Sequence, residues 1–267
     1  MESIIIPEGL TTIPERAFTG YTSLLTFEIP QSVTAIEALA FADCESLLTI
    51  TIPENVTRFM SFPPFRGCAS LQEINIATGN TFLKSINGVL FSADETILKR
   101  YPSGRDGTSY TVPGTVEIIH HHTFSQSRNL RSVGLPASLN YVDFEIFANS
   151  TYLDEISFAG NKPDFVSPDA FVDIASDARV TVGTFATGFE TTISGLEIHR
   201  LPQLRFRGNQ VIVEIDPSLG ATPSLWHSFD LKEWSLVEEA ARQDNVFTLP
   251  TATARLVGSQ SFFKVLP

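Results

Sequence analysis

Proline recurs at a fixed interval of twenty-three residues, at Pro7, Pro30 and Pro53, and Pro113 to Pro136 restores the interval after an interruption. This period constrains the fold more than any other feature. A unit that short cannot bury its own apolar side chains, so units must stack until their inward residues form one continuous core.

Other columns keep step with proline. A Phe follows eleven positions later at Phe18, Phe41, Phe124 and Phe147. Leu24, Leu47, Leu130 and Leu153 form a second column, Phe27, Ile50, Val133 and Ile156 a third, and Ile29, Ile52, Leu135 and Phe158 a fourth. The unit starting at Pro53 carries one surplus residue, giving Phe65, Leu71, Ile74 and Ile76, and the surplus falls at 61–64. Insertions of this kind map to loops. Burying such side chains contributes about 1.5–3 kcal/mol each before chain entropy opposes it.

Residues 47–53, Leu-Leu-Thr-Ile-Thr-Ile-Pro, alternate at the strand period, and Pro53 ends the ladder because it lacks an N–H. One short strand per coil is expected. The stretch 33–41 is expected to supply a second extended piece and then a helical turn.

On these columns the chain resembles the BspA-type bacterial leucine-rich repeat. Ile29, Pro30, Val33, Thr34, Ile36, Ala40, Phe41, Cys44, Leu47, Ile50, Ile52 and Pro53 fill that family's unit in order. The resemblance covers roughly residues 3–177, with a hairpin insertion at about 77–112 carried by Asn87 to Phe91, Leu98 to Pro102 and Tyr110 to Pro113. It implies a repeat solenoid, a leucine-rich-repeat right-handed superhelix of short β-strands with helical turns. It also implies life at the bacterial cell surface or outside the cell.

Hydrophobic residues make up 43% of the chain and charged residues 18%, which is globular content rather than disorder or membrane. A net charge of −12 opposes nucleic acid and anionic lipid. The densest basic stretch, Arg200 to Arg207, alternates with apolar residues and reads as a solvated strand face. No stretch reaches membrane-span length, and Met1 abuts the array without a leader, so a trimmed chain is expected, its signal peptide upstream and Ile4, Ile5 and Ile6 uncapped.

Cys44 and Cys68 occupy one column in adjacent coils and read as buried free thiols, since parallel stacked side chains seldom reach disulfide torsion. A zinc or redox role needs further ligands or a CxxC pair. His120, His121 and His122 occupy the turn held by Glu37, Ala38 and Leu39 in another coil, and read as a solvated turn rather than a metal site. His199 and His227 stand alone, and neither Ser103–Gly107 nor Gly183–Gly188 forms a nucleophile elbow or phosphate loop. Asp94 and Glu95, as strand neighbours, point apart. No catalytic residue, cofactor or metal is expected.

Beyond Phe158 the repeat fades, Asp169-Ala-Phe171 returns to it once, and 178–202 reads as a terminal capping coil. Residues 203–267 read as short strands separated by turns at Gly208-Asn209, Asp216-Pro217 and Gly220, a small antiparallel β-sandwich. Ser228 to Trp234 and the final Phe262-Phe-Lys-Val265 resemble a C-terminal module of secreted bacterial proteins.

The outward positions of the strand column remain: Thr26 and Glu28, Thr49 and Thr51, Glu73 and Asn75, Ser132 and Gly134, Glu155 and Ser157. Spaced one coil apart, they are expected to form a flat polar ladder, the type of face on which solenoids bind partners. The expected function is adhesin-like recognition of an extracellular protein or glycan. The competing expectation is a passive spacer for an upstream domain, because the ladder lacks aromatic or Arg anchors. A hydrolase would need a catalytic domain outside this chain, and oligomeric state is not encoded in these patterns.

Overall fold

The computed structural model describes residues 4, 6, 9–59, 64–183 and 186–199 in full, and the backbone of the strands between 200 and 266. Residues 61–63 of the expected surplus, Ile5, and most of Ser228 to Trp234 lie outside the described residues. Two compact units are present: 1–180 with 189–197, and 181–188 with 198–267.

The first unit is a β-solenoid of about seven turns. Thr49–Ile52 (β4) shows why its strands form: exposure alternates along Thr-Ile-Thr-Ile, so Ile50 and Ile52 enter the core while both threonines face water. Thr26–Glu28 (β2) and Glu73–Ile76 (β6) flank it in parallel register, Thr26 beside Thr49 beside Glu73. A second parallel ladder joins Thr12–Ile13 (β1), Ala35–Ile36 (β3) and Arg58–Phe59 (β5). This is the second extended piece that Val33 to Ile36 announced.

The helical turn expected next does not form; among the described residues there is no helix. Leu39 and Asp43 have φ of 56° and 58°, and the same two columns are left-handed at Arg16, His122, Glu145, Gln126 and Asn149. Left-handed residues interrupt helical hydrogen bonding. Every second amide reaches the next coil instead: Phe41 N donates to Pro64 O at 2.9 Å and Asp43 N to Arg66 O at 2.7 Å. The amides between them close local turns, as Ala42 N does on Leu39 O at 2.9 Å. The curve of each coil is thus a third ladder.

Inside, Phe18, Phe41 and Phe65 stack with centroids 5.3 and 5.6 Å apart. Cys44 and Cys68 are free thiols, each donating to the backbone of the preceding coil, at Phe18 O and Phe41 O, both 3.1 Å. Ser150 does the same to Phe124 O at 2.7 Å. In these coils the column therefore holds a small side chain with a hydrogen to give. Burial pushes the thiols up to about 11 and about 12, so they remain protonated donors.

The interruption is a meander of Leu83–Ile86 (β7), Val89–Ser92 (β8) and Ile97–Arg100 (β9), antiparallel throughout, with Asn87 and Gly88 left-handed at the first turn. Strand β9 then rejoins the period by pairing in parallel with Ile118–Ile119 (β11), followed by Tyr141–Val142 (β13) and Phe165–Val166 (β15). Across the coil, Ser109–Thr111 (β10), Ser132–Leu135 (β12) and Glu155–Phe158 (β14) pair in parallel, and Arg179–Gly183 (β16) follows them in the chain. Thr192–Ile193 (β17) pairs antiparallel with the start of Leu196–Leu201 (β18), and the Phe189 ring sits edge-on to Phe158 at 5.2 Å.

Tyr101, not anticipated in the Phe column, continues it: its ring lies 5.3 Å from Phe124, which stacks on Phe147 at 5.1 Å. Gly104 permits this coil to close, because a Cβ there would stand 2.5 Å from the Ser70 carbonyl carbon.

In the second unit, Gln203–Arg207 (β19), Gln210–Glu214 (β20), Ser224–Ser228 (β21), Ser235–Leu236 (β22), Ala241–Gln243 (β23), Val246–Leu249 (β24) and Phe262–Leu266 (β25) form two antiparallel sheets. Their orders are β19-β20-β24-β23 and β22-β21-β25. The expected sandwich, and the expected solvation of Arg200 to Arg207, depend on side chains outside the described residues.

Candidate functional site

The strand alternation delivers the expected outward residues to the surface. Thr26, Glu28, Thr49, Thr51, Glu73 and Glu155 are exposed, while Asn75, Ser132, Gly134 and Ser157 are half-buried. They do not make one continuous ladder. Glu28, Thr51 and Asn75 align across β2, β4 and β6, and Gly134 and Ser157 align across β12 and β14. Between these runs the inserted hairpin bonds to β6: Ile74 N donates to Gly88 O at 2.9 Å, and Ser85 Oγ donates to Ile74 O at 2.7 Å.

The β2 and β4 residues of the first run line a depression of about 310 Å³, bordered by Thr26, Glu28, Gln31, Thr49, Thr51 and Pro53, which Glu73 and Asn75 of β6 do not reach. Its rim offers hydroxyls, an amide and one carboxylate, a set that donates and accepts hydrogen bonds. The second run extends one coil further back than expected, because Ser109 and Thr111 pair with Ser132 and Gly134. Counting back from Pro113 by the same offset would have found both.

The histidine run needs correction. It was expected in a solvated turn, yet His121 and His122 are buried. Phe144 of the next coil covers them, lying parallel to the His121 ring at 4.9 Å and edge-on to His122 at 5.7 Å. Asp143 Oδ2 stands 3.1 Å from His121 Nδ1 and also accepts the His121 amide at 3.2 Å; Glu145 Oε2 lies 3.5 Å from His122 Nδ1. Among the described residues no three His, Cys, Asp or Glu side chains converge as metal ligands.

Burial, reinforced by the Lys99 charge for His120 and by His121 for His122, lowers both His120 and His122 to about 4. Both are therefore neutral in the fold at pH 7. The unfolded chain takes up protons below about pH 6.5, whereas the fold resists until about pH 4, so stability falls across that window. We expect a loss of about 3–5 kcal/mol by pH 4, read as a falling urea midpoint. The variant His122→Asn, suited to the left-handed φ of 55°, should lose visibly less between neutral and acid pH. An equal decline in both proteins would place the acid sensitivity elsewhere.

Asp94 and Glu95 also resolve into structure. Asp94 Oδ1 accepts from Ser92 Oγ at 2.6 Å and Thr96 N at 3.1 Å, which lowers its carboxyl, while Glu95 pairs with Lys84. Both serve the β8–β9 turn. Ser103 is buried against Arg100, so the segment 103–107 docks a coil and presents no phosphate cradle. No described helix is long and apolar enough to cross a membrane.

The model of the family described as "BspA type Leucine rich repeat region" matches six copies over residues 1–101 and 103–182. A leucine-rich cell surface protein of Faecalibacterium prausnitzii A2-165 is similar in structure, at 29% identity and TM-score 0.57, over 70% of this chain and 55% of that one. A leucine-rich repeat protein from Eubacterium ventriosum gives 18% identity and TM-score 0.42 over 68% and 66% of the two chains. The pneumococcal vaccine antigen PcpA gives 20% identity and TM-score 0.43 over 65% and 66%. The match thus spans little more than half of the Faecalibacterium protein. No curated protein matches.

Proposed function

The chain belongs to the BspA-type leucine-rich repeat family, and from that premise we propose that it is a non-catalytic recognition protein, secreted or displayed on a bacterial surface. Its partner is an extracellular protein or glycan. The observation that carries this reading is the depression lined by Thr26, Glu28, Thr49 and Thr51. Those positions contribute nothing to the core, since Phe27, Ile50 and Ile52 between them already fill it. Outward columns of a solenoid are free to vary with the partner while the inward columns stay fixed. The cell-surface location of the Faecalibacterium relative supports the placement.

The test is a binding screen of the full chain against immobilised extracellular-matrix glycoproteins and polysaccharides, beside a Thr49→Lys/Thr51→Lys variant. Both substituted positions are exposed, so the fold should survive. Recognition through this depression predicts saturable binding that the variant weakens about tenfold or more. Equal, weak retention of both proteins on every surface would favour the spacer reading instead.

A further inference from the structure

Repeats expose which residues the fold needs, because every column is sampled several times. In the column of the second ladder that alternates with its inward one, the first three coils carry Thr12, Ala35 and Arg58, aligned strand to strand and half-buried, buried and exposed in turn. The later coils carry Ile97, Ile118, Tyr141 and Phe165 in the same column, again in direct register. The fold accepts threonine, alanine or arginine there, so packing does not require large apolar side chains. Yet Tyr141 and Phe165 are placed outside at 38% and 43% exposure. At strand spacing the row is roughly 15 Å long, and an apolar ridge of this kind costs solubility unless something covers it.

We infer that the outward face of the β9–β11–β13–β15 ladder is a docking surface for a basic protein segment that also carries apolar side chains. It is a second face, separate from the depression on β2 and β4. Tyr141 and Phe165 stack on one another, centroids 4.7 Å apart and planes 16° from parallel, so each ring covers a face of the other. The stack takes one face of each ring away from a sugar, whereas the mixed aliphatic and aromatic row of Ile97, Ile118, Tyr141 and Phe165 suits apolar side chains, which argues for protein over carbohydrate.

Charge sets the sign of the partner. Glu117 and Asp164 border the row as exposed carboxylates, and Asp143 stands in the next outward column beyond Tyr141. The basic groups near the row are Lys99, at its Ile97 end, and exposed Lys162, beside Asp164; His120 is neutral at pH 7. Three carboxylates against two lysines leave the face acidic, on a chain of net charge −12, which attracts a cationic partner and repels a second copy of itself.

The test uses the full chain and labelled peptides alternating lysine with leucine or glutamate with leucine, with oligolysine and cellohexaose as further probes. A Tyr141→Thr/Phe165→Thr variant restores what Thr12 supplies in the first coil, so its urea midpoint should stay near wild type. We expect the lysine–leucine peptide to bind saturably, to weaken between about 0.05 and about 0.3 M salt, and to lose about tenfold or more affinity in the variant. Equal binding of both alternating peptides, preference for cellohexaose, or self-association abolished by the variant would each overturn the inference. Peptide binding untouched by this variant but lost in Thr49→Lys/Thr51→Lys would overturn it too, while leaving the recognition reading intact.

Discussion

Replacing Arg100 with alanine should cost the array about 3–5 kcal/mol, the largest loss expected from any polar residue in it. Arg100 is 1% exposed, and its partners are neutral acceptors. One Nη donates to the His122 carbonyl and to Ser125 Oγ at 2.9 Å; the other donates to Ser103 Oγ at 2.6 Å and to Ser125 O at 3.4 Å. Burial lowers the guanidinium to about 10, which leaves it charged at neutral pH. Alanine would leave carbonyls and hydroxyls without donors in a space that water does not reach. Urea denaturation of Arg100→Ala beside Arg100→Met separates the causes. Methionine refills much of the volume without donors, so it too should lose about 2–4 kcal/mol. If methionine equals wild type, the desolvation cost of the charge cancels its hydrogen bonds, and the argument fails.

The second large effect belongs to the aromatic stack. Phe124→Ala should destabilise by about 3–5 kcal/mol, because Phe124 is fully buried between Tyr101 and Phe147 and touches Tyr110 as well. In a repeat array stability is shared across neighbouring coils, so removing a central ring weakens two interfaces at once. Phe18, only partly buried at the near end of the stack, should cost about half as much when truncated. Equal losses at Phe18 and Phe124 would mean that the rings act singly and not through the stack.

Much of the fold was legible because a repeat states each requirement several times. The strand at 49–52, the second extended piece at Ala35–Ile36 and the columnar placement of both cysteines follow from spacing alone. What stayed hidden has local causes. The curve from Glu37 to Asp43 resembles helix in composition, and nothing in Glu37-Ala-Leu-Ala-Phe41 announces two left-handed residues; their regularity emerges from inter-coil hydrogen bonds. Tyr101 lies one full period before Phe124 and was missed because it is not a Phe and the proline origin from which columns are counted is absent there. The histidines were placed in water because their own turn is polar, whereas their cover, Phe144, comes from the coil that follows.

The candidate faces were legible in part. Alternation picked out Thr26 through Asn75, but the hairpin's contact with β6 was not visible in the pattern, and it divides the ladder into two runs. Ile97, Ile118, Tyr141 and Phe165 went unremarked because a column of large apolar residues reads as core. Only the register that sets Tyr141 beside Phe165, with the inward positions already filled, turns that row outward.

The hydrogen bonds between coils run along the stacking direction, in the strand ladders and in the turn ladder alike. Force applied along that direction therefore opens the inter-coil bonds in series, not all together in shear. Each coil that peels away frees twenty-three residues, roughly 75–80 Å of chain, while the coils beyond it remain folded. A protein held at one end and pulled by its partner at the other would lengthen in steps, releasing tension at each step before the contact itself had to break.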